Sequence, residues 1–341
     1  MKIKGILRIV LFMVIGIVIL WLVTRNQNFE KIWTEFKNAN FWWVLVSVLS
    51  GVISHYIRAL RWNLLIQSMN YKTRTDITFC ALLTGYLANL VVPRLGEVTR
   101  CATLSRYSKI PFNALAGTVV AERVLDMITL LLLIFLTVMF QFQFLRDFLS
   151  HYIFEPLLLL LDQKIWVMLL LLIITGVLFF VARNFYLKSK SLKTGWIFKI
   201  RRLMSGFIKG LDSIRQLGKK GLFYGYTVLI WFFYLLMVYF VFFAFGSTSH
   251  LGIDAGFTIL SMGSLGIVAP VPGGIGTYHF IVIKTLTELY HITLESATSY
   301  AYIAHGSQTL ILIFIGGFAY FYLGWIYKKR LDNYISQDEQ K

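Results

Sequence analysis

The chain has 341 residues, 57% hydrophobic and 14% charged, with a mean hydropathy of +0.69 and a formal net charge of +17. That much apolar side chain in a chain of this length excludes a soluble globular fold and requires a polytopic membrane protein. The basic excess is broken into clusters between apolar runs, which is the pattern of loops beside anionic lipid; no nucleic-acid partner is expected.

Met1-Lys-Ile-Lys is a basic flank for an apolar run from Ile6 to Val23, longer than the core of a signal peptide. Thr24-Arg25-Asn26 is no small-residue cleavage site, so this run is expected to remain as a first span. A second span is expected from Phe41 to about Leu60, opened by the aromatic anchor Phe41-Trp42-Trp43 and carrying His55, Arg58 and Arg61 near its far end. From Asp76 to Glu97 the pattern changes. A helix over Ile77 to Leu90 would be roughly 21 Å long, short of a hydrocarbon core of about 30 Å. Pro93 then removes a donor and Gly96 permits unusual dihedrals, so the segment is expected to enter the membrane, break inside it and return. The returning arm is read as Pro111 to Ala121, with Ala114, Gly117 and Ala121 as a small-residue packing face.

Further spans are expected at Met127 to Phe140, Ile165 to Val181, Leu222 to Phe245 and about Tyr300 to Tyr327. Before the last lies a second broken segment: Ala255 to Ala269, Pro270-Val-Pro272-Gly-Gly-Ile-Gly276, and Thr277 to Tyr290. The expected fold is thus an all-α polytopic membrane protein with six full spans and two re-entrant broken hairpins. It forms one transmembrane domain over residues 1–330. Residues 183–221 form a basic loop in which Trp196, Ile200, Leu203, Phe207 and Leu211 recur at helical spacing, the mark of an amphipathic helix on the inner leaflet. Residues 331–341 read as a short polar tail.

Basic residues test this layout, because cytoplasmic loops carry the excess. With the amino terminus inside, only Arg25, Lys31, Lys37, Arg146, Lys164 and Lys284 fall outside, leaving 27 of the 33 on the inner face. A miscounted span would reverse the bias in half the loops. Six crossings therefore place both termini in the cytoplasm of a cell membrane. The same layout exposes an inverted repeat with halves of about 1–145 and 160–330. A shift of 178 residues superposes Asp76 on Asp254, Phe79 on Phe257, Leu82 on Leu260, Gly85 on Gly263, Leu87 on Leu265 and Gly96 on Gly274. Interrupted segments at matching positions of inverted halves point to the binding site of a transporter.

Charge at membrane depth is a functional signal. Arg94, Glu97 and Arg100 follow at intervals of three, so a helix starting near Gly96 places Glu97 in its first turn and on one face with Arg100. Arginines there are suited to bidentate phosphate binding; the plainer reading is a helix cap with a salt bridge at the membrane surface. Glu122 and Asp126 lie one turn apart, and Arg123 reaches Asp126 across three residues, leaving a carboxylate for Arg94 or Arg100. In the second break, Gly273, Gly274 and Gly276 before Thr277 resemble a glycine-rich anion loop at a helix start, or else a turn that lets helices pack closely. The run is neither a P-loop nor a dinucleotide fingerprint. His279 and His305 lie near it, and His55 one turn before Arg58; each is a candidate for phosphate or proton binding, with packing as the alternative. Cys80 and Cys101 have no metal-ligand spacing, and no metal or cofactor is expected.

Arg58-Ala-Leu-Arg61-Trp62, Pro93-Arg94-Leu-Gly96-Glu97-Val-Thr-Arg100, Glu122-Arg123-Val-Leu-Asp126 and Pro272-Gly273-Gly274-Ile-Gly276 together resemble the lysylphosphatidylglycerol synthase transmembrane-region family, also called flippase-like or UPF0104. The resemblance runs over about residues 6–326. Its best-known relatives, the multiple peptide resistance factors, join such a region to a cytoplasmic aminoacyl-transferase domain, and their membrane part is implicated in flipping aminoacylated phosphatidylglycerol. No transferase domain is expected in this chain. After the Pro-Gly-Gly-Ile-Gly run relatives often carry a glutamate where this sequence has Tyr278-His279, so that carboxylate's role does not transfer.

The resemblance and the residues together imply a lipid transporter or flippase-like protein handling an anionic or aminoacylated phospholipid head group. Two alternatives stand beside it: a membrane enzyme modifying a lipid or polyprenyl-linked head group, with Glu97 or Glu122 as general base, and a scaffold for a separate lipid synthase. No catalytic constellation of nucleophile and positioned base is found in the sequence, which favours transport over catalysis.

Overall fold

The computed structural model describes residues 14–140 and 217–338, apart from 15, 23, 26 and 270. Most of the first expected span, the fourth span, nearly all of the 183–221 loop and the last three residues lie outside the described residues. The chain divides into two compact units, 1–134 with 207–341, and 135–206. All that follows concerns the first, apart from the end of one helix.

Among the described residues the secondary structure is helical throughout. Residues 16–22 are helical, and a short surface helix follows, α1 (Phe29–Asn38), capped by the Asn28 side chain, which accepts from the amides of Glu30 and Lys31. α2 (Phe41–Ser68) starts where Asn40 caps Trp42 and runs 28 residues, two turns beyond the expected end at Leu60. Arg58 and Arg61 are therefore inside a buried helix and not at its margin. α3 (Thr75–Val91) stops before Pro93 and α4 (Leu95–Ser108) starts directly after Arg94. α5 (Phe112–Phe140) is one helix of 29 residues.

Two expectations are corrected here. The helix that follows the break is α4, and the stretch from Phe112 to Ala121 is instead the first part of the single helix α5. The sequence reading broke the chain at Glu122, Arg123 and Asp126 because charge is disfavoured at depth. The helix continues through them because each is neutralised by an arginine or carboxylate from another helix.

The second half repeats this order. α6 (Lys220–Phe242) is followed by α7 (Ile253–Val268), the interrupted loop with a single turn of 3-10 helix at Pro272–Gly274, α8 (Thr277–Glu288) and α9 (Leu294–Asp338). α9 continues helically through most of the stretch read as a polar tail. α3 and α7 begin at 75 and 253, a difference of 178, which is the shift found in the sequence. α2, α6 and α9 are each long and apolar enough to cross a membrane.

Packing follows the same division. Val238, Phe242, Ile259, Val282, Leu286 and Tyr300 knit α6 to α9 together, and Trp62, Ile66, Ile77, Leu104, Leu115 and Val119 knit α2 to α5. α9 joins both, bringing Ala319 and Leu323 to the second cluster. Apolar burial drives little association within lipid, so close backbone approach has to hold the short helices. Gly85 and Gly96 supply it between α3 and α4: a Cβ on Gly96 would fall on the Gly85 carbonyl oxygen, and one on Gly85 would lie 2.7 Å from the Gly96 oxygen. In the second half a Cβ on Gly266 would lie 2.7 Å from the Cα of Tyr278.

Candidate functional site: a buried arginine and carboxylate network

Three helices bring five charged side chains together. Asp126 on α5 accepts with one carboxylate oxygen from Arg58 (2.9 Å) and with the other from Arg61 (2.7 Å), both on α2. One turn earlier Glu122 lies 3.0 Å from Arg100 on α4 and 3.6 Å from the Nε of Arg61. The side chains of Arg61 and Glu122 are 0% and 1% exposed, so the pairing is not screened by water. Their depth follows from helix rise: Glu122 and Asp126 lie about 15 and 21 Å along α5 from Phe112.

Neutral and aromatic groups complete the shell. Arg58 donates to the Tyr86 hydroxyl at 3.1 Å and lies 5.7 Å from the Tyr234 ring centroid. Arg61 donates to Thr227 at 3.2 Å, and Arg100 stacks over Trp62 at 4.8 Å. Trp62 in turn donates to Thr118 at 2.8 Å, fixing α2 to α5. Three guanidiniums against two carboxylates leave the buried network one positive charge in excess.

Arg123 is placed differently from the sequence expectation. It pairs with Glu97 at 2.8 Å, partly exposed, and not with Asp126, whose oxygens are taken by α2. Glu97 and Arg100 do share a face of α4, and both use it to reach α5. Arg94 stands apart. It is exposed, has a left-handed backbone (φ 65) at the break, and makes no ion pair among the described residues. The break is held by Asn89, whose side-chain oxygen accepts from the Gly96 amide at 2.6 Å.

In the second break Gly273, Gly274 and Gly276 all have positive φ (59, 73 and 86), which only glycine adopts without strain. Two imidazoles hold this loop. His305 Nε2 donates to the Gly273 carbonyl at 2.8 Å, and His279 Nδ1 accepts from the Gly276 amide at 3.4 Å; their rings are 4.9 Å apart. The two breaks touch: a Cβ on Gly273 would lie 3.2 Å from a methyl of Leu90 at the end of α3. His55 joins the first site, its ring 4.7 Å from that of Tyr86.

The structure thus gathers Arg58, Arg61, Arg100, Glu122 and Asp126, sets Glu97 and Arg123 beside them, and puts His279 and His305 on the glycine loop. Sequence reasoning missed Tyr86, Asn89, Thr227 and Tyr234. Helical spacing offered a signal for two of them, since Thr227 and Tyr234 are a heptad apart on α6, but nothing in the sequence marked that face as meeting α2.

The chain is 26% identical over 308 residues to a UPF0104 membrane protein of Methanothermobacter thermautotrophicus, covering 83% of this chain and 85% of that one. It is 22% identical over 296 residues to a UPF0104 membrane protein of Pyrococcus horikoshii, covering 78% and 83%. A UPF0104 membrane protein of Methanocaldococcus jannaschii matches at 28% over 129 residues, 37% of this chain and 38% of that one. No solved structure matches. Residues 6–316 match the model of the lysylphosphatidylglycerol synthase TM region, and the chain belongs to that family of membrane proteins.

Proposed function

We propose that this protein moves an anionic phospholipid between the leaflets of a cell membrane. The observation that carries the reading is the charged network: five charged side chains, one positive charge in excess, are gathered from α2, α4 and α5, with α2 and its neighbour α6 apolar enough to span lipid. Buried charge is costly to assemble and stabilises a fold poorly, so a functional load is the simplest reason for it. The short pairs α3–α4 and α7–α8 act as re-entrant hairpins of an inverted repeat with six crossings. The meeting of their breaks at Leu90 and Gly273 supports a shared midplane site. In this reading Arg100 and its neighbours hold the lipid phosphate, Glu122 and Asp126 position the arginines, and the acyl chains stay in the bilayer. Rocking of one half against the other exposes the head group to each side in turn.

The test is reconstitution into liposomes with labelled anionic, zwitterionic and aminoacylated lipids. Head-group-selective exchange above that of empty liposomes, reduced in Arg100→Gln and Glu97→Gln, is the expected result. No exchange by folded protein across the whole panel would turn attention to an enzyme or a scaffold.

A further inference from the structure

Beside the ionic network lies an aromatic cluster that the pairing of charges leaves unexplained. His55, one turn before Arg58 on α2, packs on Tyr86 of α3 and lies 6.2 Å from the ring of Tyr234 on α6. Tyr234 is also 5.9 Å from Trp231 and 5.7 Å from the Arg58 guanidinium, so its ring adjoins His55, Arg58 and Trp231. Three polar atoms around that ring are buried without a hydrogen-bond partner among the described residues: His55 Nδ1, Arg58 Nε and Trp231 Nε1. His55 and Arg58 are more than nine-tenths buried, at 9% and 6% exposed. Unmade hydrogen bonds are rare in interiors, and three around one ring mark a place where polar atoms of another molecule fit.

Charge and chemistry narrow that molecule. The neighbouring network has an excess of one positive charge, matching the single negative charge of a phosphodiester. Each carboxylate of the network already faces a guanidinium: both Asp126 oxygens accept from arginines, Glu122 lies between Arg61 and Arg100, and Glu97 is paired with Arg123, so an ammonium would have to displace an arginine from its counter-charge. Hydroxyls both donate and accept, so they satisfy an imidazole nitrogen and an indole N–H equally, whereas an ammonium only donates. The ring faces of Tyr86 and Tyr234 supply flat apolar contact for carbon-bound hydrogens of a polyol.

We infer that the seam of His55, Arg58, Tyr86, Trp231 and Tyr234 binds the phosphodiester and neutral polyol of a hydroxyl-bearing lipid head group, glycerol or sugar, and rejects amine-bearing heads, aminoacylated ones included. The inference rests on the transport reading and names its substrate class. A phosphate oxygen accepts from Arg58 Nε, the hydroxyls meet His55 and Trp231, and the partly exposed rings of Tyr86, Trp231 and Tyr234 turn aside to admit them.

The experiment is equilibrium binding of short-chain lipids to the purified full chain in detergent: phosphatidylglycerol, phosphatidylinositol, phosphatidylethanolamine and lysylphosphatidylglycerol, with inorganic phosphate as control. Phosphatidylglycerol, phosphatidylinositol or both bind about tenfold or more tightly than the two amine-bearing lipids. Trp231→Phe and His55→Phe each weaken that binding about fivefold or more at unchanged melting temperature. Equal or tighter binding of the amine-bearing lipids, no binding of either polyol lipid, or wild-type affinity in both variants would overturn the inference. Selective binding without leaflet exchange would sink the transport reading and leave the site standing. Exchange without selectivity would do the reverse.

Discussion

At the scale of single residues, the network depends on mutual satisfaction. Asp126 holds two arginines at once, so Asp126→Asn leaves buried guanidiniums without their counter-charge. It should lower stability by about 3–5 kcal/mol, read as a drop in melting temperature of the detergent-solubilised protein. Arg94 should behave in the opposite way. Its side chain is exposed and its backbone left-handed, so Arg94→Gly relieves strain and should raise stability by about 1 kcal/mol in the same assay. Much of this site was legible: Glu122, Asp126 and Arg100 stood out as charges in apolar surroundings, and Glu97 and Arg100 were read onto one helix face. Partner choice was not. The expectation that Arg123 meets Asp126 rested on spacing within one helix, whereas Asp126 is turned towards α2, and only the packing of α2 on α5 decides that.

At the scale of elements, proline and glycine were the readable signals and continuity of helices the unreadable one. The end of α3 before Pro93 and the interruption from Pro272 to Gly276 agree with the sequence. The single helix α5 does not, because a cluster of three charges looks like a membrane boundary until its partners on other helices are known. Packing gives a physical reason for two of the identities found at the 178-residue shift. Gly85, which matches Gly263, meets Gly96, which matches Gly274, and the contact lets α3 and α4 lie backbone to backbone. Gly96→Ala should therefore separate the pair, destabilise the protein by about 1–3 kcal/mol, and raise protease cleavage between α3 and α4. Gly306→Ala, with nothing near an added Cβ inside α9, is the matched control and should leave cleavage unchanged and the protein as stable or slightly more so.

At the scale of the whole molecule, the account requires a definite orientation. With the buried Arg58, Arg61 and Arg100 set aside, 24 of the remaining 30 basic residues fall on the face assigned to the cytoplasm, so α1 should lie outside and the α2–α3 turn inside. Both native cysteines are buried, which leaves introduced ones as clean reporters. Trp33→Cys should react with an impermeant maleimide in intact cells, and Lys72→Cys only after permeabilisation; the reverse pattern would invert the topology. Composition made the membrane class and the repeated order of long and short helices legible from the start. What it could not convey is that the charged motifs of α2, α4 and α5 converge on one another, because that depends on how helices far apart in sequence face each other in lipid. The central claim is that this convergence serves transport and not stability. Its most direct test is leaflet exchange by the double variant Arg100→Met with Glu122→Leu in liposomes. Replacing a buried ion pair by apolar side chains of similar size is often neutral or stabilising, and Arg61 keeps Asp126 as its counter-charge. The variant should thus fold with an unchanged or higher melting temperature while its lipid exchange falls to that of empty liposomes. Exchange at the wild-type rate in the folded double variant would show that the network is structural and contradict the account.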